Sequence, residues 1–463
     1  MKRIYTMLIV IFTIGQICYA QPYVSPVIYV SPYGSNDPSD YGVDVNGTDG
    51  FNIAITPDLL MTHLHDVNNP AYFGDVKICF MGGDYYTEFD FNYLLNTIQS
   101  LEIYGGFGSY EIFDDLTNRD FIFNETRFHA VGGATVKLCG LPYYGNNNIY
   151  TIIIDGITIT SDYMVSDYAL SLIQGNYIVS QCKIEGFQTD DILMWLESGG
   201  GSITFVSCLF ADNVAYYLMA LCTNVNLINV TIADNDLKDD MFIPFAHAYT
   251  YNMRNSIIYG NSNMDMASLS FDVYHSILEN LESWVNDIGG NMFNTDPLFT
   301  YNYMAPYSCD YTSSPAIGAG EPAFITSLSF YALHHDILDY DVINFGRYYD
   351  SNPVTMLDIG AYQRGTNLSP YYNIAHPSEY ENDPNECLTV EPIHIWSDAH
   401  AVHINNIKGA NATLILYNTA GQMVYASSLS EGNNTISTLP QAGTYIVKTT
   451  SSEGEAYAKL IVK

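Results

Sequence analysis

The amino-acid sequence predicts an all-β protein, a parallel β-helix followed by a small C-terminal antiparallel β-sandwich. Three observations predict it. An apolar template returns every 20 to 26 residues through the middle of the chain, short alternating strands with turn signals fill roughly the last 75 residues, and the β-branched and aromatic residues show no 3.6-residue period.

The first residues read as an address. Lys2 and Arg3 precede the apolar run Met7 to Ile14, and Cys18-Tyr19-Ala20 ends on a small residue before Gln21, the pattern of a secretory signal peptide over residues 1–20. No later apolar run is long enough to span a bilayer, so the expected product is exported, soluble and not an integral membrane protein. In TPDLLMTHLHDV, residues 56–67, Thr56 is placed to cap a helix, Pro57 to occupy its first turn, and Leu60, Leu64 and Val67 to share one face. Such a helix would cover the open end of a β-helix and its unpaired edge.

The coils follow. With Cys182 as position zero, apolar or small residues at minus three, zero and plus two read Val179-Cys182-Ile184, Phe205-Cys208-Phe210, Leu227-Val230-Ile232, Met253-Ser256-Ile258 and Val273-Ser276-Leu278. Ile154, Ile157 and Ile159 fit upstream. Zero and plus two alternate as in a strand, while the step from minus three to zero breaks that period and implies a corner. Strand, corner, strand and turn make one coil, and stacking coils buries an inward column that one coil alone cannot. Position plus four holds Gly186, Asp212, Asp234 and Gly260; position plus five holds Asn213, Asn235 and Asn261. Asn in a stacked turn is expected to take left-handed backbone angles and to bond to the coils above and below as a structural ladder. The functional alternative is a carboxylate pair, Asp212 and Asp234, whose backbones would lie about 4.8 Å apart in adjacent coils. With Asp236 they form a candidate calcium site, to which Asp239 and Asp240 lie close.

Charge and cysteines narrow the partners. Asp and Glu number 50 against 15 Lys and Arg, and a net charge of −35 repels nucleic acid and anionic membranes while favouring cations such as calcium. Nucleic-acid binding is thereby excluded. The seven cysteines beyond the leader, Cys79, Cys139, Cys182, Cys208, Cys222, Cys309 and Cys387, are too scattered for a disulfide framework or a zinc ribbon. Cys182 and Cys208 should be neighbours within bridging range, and are expected as buried reduced thiols.

Several segments resemble known families. VIYVSPYGSNDPSDYG at 27–42 and DVKICFMGGDYYTE at 75–88 resemble the first coils of pectate-lyase-like right-handed β-helix proteins, and LEIYGGFGSYEIFDDLTNRDFIFNETRF at 101–128 is similar to a block of their secreted bacterial members. DPLF at 296–299, SPAIGAG at 314–320 and DIGAYQRG at 358–365 resemble the end of β-helix proteins of the choice-of-anchor type, with Gln363 standing where those carry an acidic residue that would pair with Arg347. Residues 366–386, rich in Pro, Asn, Ser and Tyr, read as a linker. In residues 387–463, ATLILYNTAGQMVY, GTYIVK and KLIVK resemble the C-terminal sorting domain of type IX secretion. The resemblance implies a right-handed β-helix domain over 21–365 and recognition of the tail by the type IX machinery. It also implies delivery to the outer-membrane surface of a Gram-negative bacterium, or release from it.

Chemistry is less legible. A uronate lyase needs a cation and a strong base, and only nine basic residues lie between Gln21 and Glu386. Of these, Lys183 and Arg254 fall within coils and are the candidates. TDD at 189–191 is similar to the acid motif of polygalacturonases and nominates Asp190 and Asp191, although the Gly-His-Gly and Arg-Ile-Lys partners are absent. Forty tyrosines offer rings for stacking on sugars, or for packing. The expected function is binding of extracellular polysaccharide, or adhesion, with no required cofactor. A polysaccharide lyase or glycoside hydrolase is the alternative, and a purely structural surface component the third reading.

Overall fold

The computed structural model describes residues 27–44, 48–65, 74–91, 98–109, 111–113, 116, 119–139, 151–198, 201–244, 249–263, 270–300, 305–310, 313–326, 328, 334, 338, 340–343, 357–363, 394–397, 402–407, 412–418, 423–430, 432–436, 443–451 and 454–462. The leader reading of 1–20, the linker reading of 366–386 and Arg347 lie outside them. The chain divides into two compact units, Met1–Thr300 with Tyr307–Gln363 and Tyr301–Pro306 with Arg364–Lys463.

The first unit is built on three long sheets of eleven, nine and six strands, parallel throughout except for the short edge strand Val43–Asp44. Successive strands enter the sheets in rotation. Asn176–Ser180 lies in the first sheet, Lys183–Glu185 in the second and Ile192–Glu197 in the third, and Ser202–Val206 then returns to pair with Asn176–Ser180. The register is the one read from the sequence. Ile154, Val179, Phe205, Leu227, Met253 and Val273 pair rung on rung. So do Ile159, Ile184, Phe210, Ile232, Ile258 and Leu278. Cys208 and Val230 are in adjacent circuits, since Thr231 N–H donates to Cys208 O at 2.9 Å and Ile257 N–H to Val230 O at 2.8 Å. Both columns, with Leu170, Met194 and Met219 of the third sheet, belong to one core whose members are buried. Cys182 and Cys208 are buried free thiols there.

The third sheet is absent from the sequence template. Its strands begin ten, nine and twelve residues after position zero, at Ile192 after Cys182, Tyr217 after Cys208 and Phe242 after Val230, so turns of unequal length blur the repeat.

Two left-handed corners recur along the stack. The first is a single left-handed residue at minus one: Gly156, Gln181, Ser207, Asn229, Asn255 and His275, with φ between 47° and 70°. The second is at plus four, where Gly186, Asp212, Asp234 and Gly260 have φ from 53° to 75°. The expected left-handed Asn at plus five is therefore corrected: the residue before it makes the bend, which turns the Asn side chain along the stack. There Asn213 Nδ2 donates to Asn235 Oδ1 at 2.8 Å and to Ile184 O at 2.8 Å, and Asn235 Nδ2 donates to Asn261 Oδ1 at 2.6 Å and to Phe210 O at 2.9 Å. Asn213 and Asn235 are fully buried, so these bonds satisfy amides and carbonyls that water cannot reach.

The side chains at minus one hold a segment that returns from far along the chain. Gln181 donates to Asp341 O (2.7 Å), Ser207 to Tyr340 O (2.8 Å) and Asn229 to Asp358 O (2.9 Å). Asn255 exchanges bonds with Glu321 (2.9 and 2.8 Å), and His275 Nδ1 lies 2.9 Å from Ala319 O. Gly360 (φ 100°) packs where a Cβ would come within 2.7 Å of Ile257 Cδ1, which fixes the glycine of DIGAYQRG. Ile325, Leu338 and Leu357 cover Ile178, Val206 and Ile228 on the outer face of the first sheet. Within the 101–128 block, Arg119 is buried against Asp155 at 2.5 Å and bonds to Leu116 O and Gly105 O. At the N-terminal end, the helix Pro57–His65 starts as expected, with Leu59 N–H reaching Thr56 Oγ1 at 3.4 Å and Leu60 and Leu64 buried in the core.

The second unit is antiparallel. Its three-stranded sheet runs His394–Ser397, Val402–Ile407, Gly432–Ile436, and its four-stranded sheet Met423–Leu429, Ala412–Asn418, Gly443–Ser451, Gly454–Val462.

The Asn ladder gives a graded prediction. Asn235→Ala strips a buried acceptor from Asn213 and a donor from Phe210 O, and should cost about 2–3 kcal/mol in denaturant unfolding. Asn261→Ala, at the half-exposed end, should cost less; equal losses would mean the ladder bonds do not set the stability.

Candidate ligand-binding face

The residues that start each third-sheet strand stack into columns. Tyr216 N–H donates to Asp191 O at 2.9 Å and Asp239 N–H to Tyr216 O at 3.0 Å, while Leu170 pairs with Met194 and Met194 with Met219. This register aligns Asp167, Asp191, Tyr216 and Asp239, and beside them Tyr168, Ile192, Tyr217 and Asp240. Each of the three aspartates is oriented by the backbone N–H that follows it: Asp167 Oδ1 accepts from Tyr168 at 2.8 Å, Asp191 Oδ1 from Ile192 at 2.8 Å, and Asp239 Oδ1 from Asp240 at 3.0 Å.

Rings stand among these carboxylates. Tyr168 and Trp195 have centroids 5.8 Å apart at 34°, and Tyr216 and Tyr217 5.2 Å apart at 52°. Trp195 lies between Ser171 and Ala220 on its flanking strands, small residues that leave space for the indole, whose Nε1 donates to Glu197 at 3.2 Å. Tyr216 is 41% exposed, and Tyr168, Trp195 and Tyr217 are half-buried. Partial burial and then the charges of Asp191 and Asp167 raise the Tyr168 phenol above its ordinary pKa; a hydrogen bond to Asp239 at 3.0 Å is the main cause of the same shift at Tyr217. Asp239 and Asp240 also border an open cleft with Asn263, Glu279 and Glu282. Of the TDD acids, Asp190 is exposed and Asp191 sits in the carboxylate column.

Lys183 belongs to a different surface, the outer face of the second sheet. Its Nζ lies 3.1 Å from Glu125 Oε1, which also accepts from Thr158 Oγ1 at 2.7 Å, and Arg127 contacts Glu125 Oε2. Beyond Arg127, His129 stands between Asp84 (2.9 Å) and Asp162 (3.3 Å), with Tyr86 stacked on its ring at 4.4 Å. Burial would raise the Glu125 carboxyl, but Lys183 and Arg127 hold it below the usual glutamate value; burial does raise Glu185. Burial opposes the charge on Lys183, yet Glu125 and Glu185 keep its pKa raised, so it is a fixed ammonium and not a base at neutral pH.

The remaining sequence candidates are structural neighbours. Asp212 and Asp234 occupy successive corners, and the Tyr307 hydroxyl donates to Asp234 Oδ2 at 3.2 Å, its phenol pKa raised by burial and by both carboxylates. Asp236 is exposed on a short strand paired with Val214. Among the described residues, no group of three or more His, Cys, Asp or Glu side chains is placed to hold a metal ion. Arg254 lies over the Phe324 ring at 4.8 Å. The structure thus separates Asp190 and Asp191 from Lys183, and both from Arg254. Sequence reasoning missed Tyr168, Trp195, Tyr216 and Tyr217 as a group. The available signal was the repeat DYAL, DILM, YYLM, DDMF at 167, 191, 216 and 239, which marks each third strand.

Compared with known proteins, the chain matches no protein-family model and no curated protein.

The Lys183 pair yields a pH test. Because Glu125 has a lowered pKa in the fold, its ionisation stabilises above the ordinary glutamate value and that contribution is lost as pH falls through the folded pKa. Glu125→Gln should cost about 2–4 kcal/mol at neutral pH by stranding Lys183. Unfolding curves of variant and parent should converge as pH falls through the lowered Glu125 pKa, below the ordinary glutamate value; a pH-independent gap would contradict the ion-pair account.

Proposed function

We propose that the chain is an exported right-handed parallel β-helix protein that binds extracellular polysaccharide, or mediates adhesion, at the bacterial surface. The single observation that carries this reading is the row of half-exposed rings and fixed carboxylates on the third sheet, the arrangement that stacks on pyranose faces and hydrogen-bonds their hydroxyls. The rotation of strands through three parallel sheets supports the β-helix, and the two antiparallel sheets of residues 394–462 support a sandwich-like sorting domain for type IX secretion. No helix among the described residues is long and apolar enough to cross a membrane.

A second reading, a glycoside hydrolase, draws on Glu125 and Glu185. Both stand beside Lys183 on the outer face of the second sheet, where Lys183 and Arg127 hold Glu125 below the usual glutamate value while burial raises Glu185.

The deciding experiment passes the whole secreted chain over immobilised plant, algal and host polysaccharides and assays each for new reducing or unsaturated ends. Retention without cleavage, reduced about tenfold by Trp195→Ala, is expected. Cleavage abolished by Glu185→Gln in a folded variant would establish the hydrolase instead. For export, deleting residues 387–463 should leave the remaining chain in the periplasm, read by fractionation; normal surface display would contradict the sorting role.

A further inference from the structure

The third-sheet face also constrains which glycan it takes, an inference that rests on the glycan-binding reading above. Asp167 and Asp191 each commit Oδ1 to the backbone, and their Oδ2 atoms take no hydrogen bond from a described residue. Asp239 directs its second oxygen to Tyr217. The stack therefore presents carboxylates on three of its four rungs beside ring faces, with Tyr168 and Tyr217 two strand spacings apart, about 9.6 Å. The cations on the described part of this face are Lys137, paired with Asp90 at 3.7 Å, and Lys238. Lys238 borders the same cleft as Asp239 and Asp240, and neither lysine forms an ion pair with Asp167, Asp191 or Glu197.

A polyuronate would meet like charge here, and the chain as a whole carries −35. A neutral glycan would gain from the rings but leave the carboxylates unanswered. An ammonium group gains from both, because it is attracted to the face of an aromatic ring and to a fixed carboxylate. A stiff chain of linked rings matches the linear spacing of the stack better than a flexible basic polypeptide does.

We propose that the outer face of the third sheet, formed by Tyr168, Trp195, Tyr216 and Tyr217 with Asp167, Asp191 and Asp239, binds a polysaccharide bearing protonated amino groups. Ring faces stack on the sugars, and the carboxylate column pairs with the ammonium groups of successive units.

The test uses the whole secreted chain and five soluble probes: a β-1,4-linked polyglucosamine, its fully N-acetylated oligomers, an unsubstituted β-1,4-glucan, polygalacturonate and polylysine. Calorimetry is run at a pH where the amines are protonated, at low and raised salt. The amino polymer should bind at least about tenfold more tightly than its N-acetylated or unsubstituted counterparts and weaken with salt. Asp191→Asn with Asp239→Asn should erase the preference while leaving weak ring-dependent binding, and Trp195→Ala should weaken all glycans, with Trp195→Phe restoring part. Circular dichroism of each variant controls for folding. Equal binding of the amino, N-acetylated and unsubstituted polymers would overturn this inference and leave the glycan-binding reading standing. Tighter binding of polygalacturonate would do the same. Binding of polylysine as tight as that of the amino polymer, and unaffected by Trp195→Ala, would also overturn it, as the mark of a merely acidic surface. Retention of none of the glycans would overturn both.

Discussion

The left-handed corner between the first and second sheets is the constraint on which the rest of the first unit depends. One residue must turn the chain from the first sheet into the second, and for a residue other than glycine that backbone costs about 1–2 kcal/mol. Gln181, Ser207, Asn229, Asn255 and His275 all accept this cost in consecutive circuits. Each is offset by a side-chain bond to the returning segment, of the order of 1 kcal/mol apiece. With the corners aligned, Val179, Phe205, Leu227 and Met253 stack without slip, since any change of register would turn an inward column outward.

The corners also distribute the outer faces. The first sheet is covered by Ile325, Leu338 and Leu357, and the start of the second-sheet strand Thr231–Ala233 by Gly360 and Ala361, whose N–H reaches Thr231 Oγ1 at 2.9 Å. Around Glu125 and His129 the second sheet carries side chains paired with one another. The third sheet keeps Tyr216 open to solvent and Trp195 half-buried, and the described residues of the returning segment pack on the other two sheets.

The inward columns were legible because they are apolar, alternate and recur at nearly constant spacing, as Val179-Cys182-Ile184 and Phe205-Cys208-Phe210 do. The Asn ladder was legible because Asn213, Asn235 and Asn261 repeat one residue type at one position. The left-handed residue at minus one was not, because Gln, Ser, Asn and His share no obvious chemistry beyond a side chain able to reach a carbonyl. Nor was the third sheet, whose strands follow turns of unequal length. The candidate face was hidden for the same reason: Asp190 and Asp191 were singled out, but Trp195 joins Tyr168 only once circuits are stacked. Lys183 looked like a lone base until Glu125, 58 residues earlier, appeared beside it.

The returning segment changes the order in which such a molecule can assemble. Stacked repeats that touch only their neighbours can fray from either end and grow by increments. Here Gln181, Asn229 and His275 bond to residues 160, 129 and 44 positions downstream. Those contacts close only after the intervening circuits exist, and closing loops of that length is entropically slow. The segment therefore acts as a latch set last, joining circuits that would otherwise open one at a time into a single cooperative block.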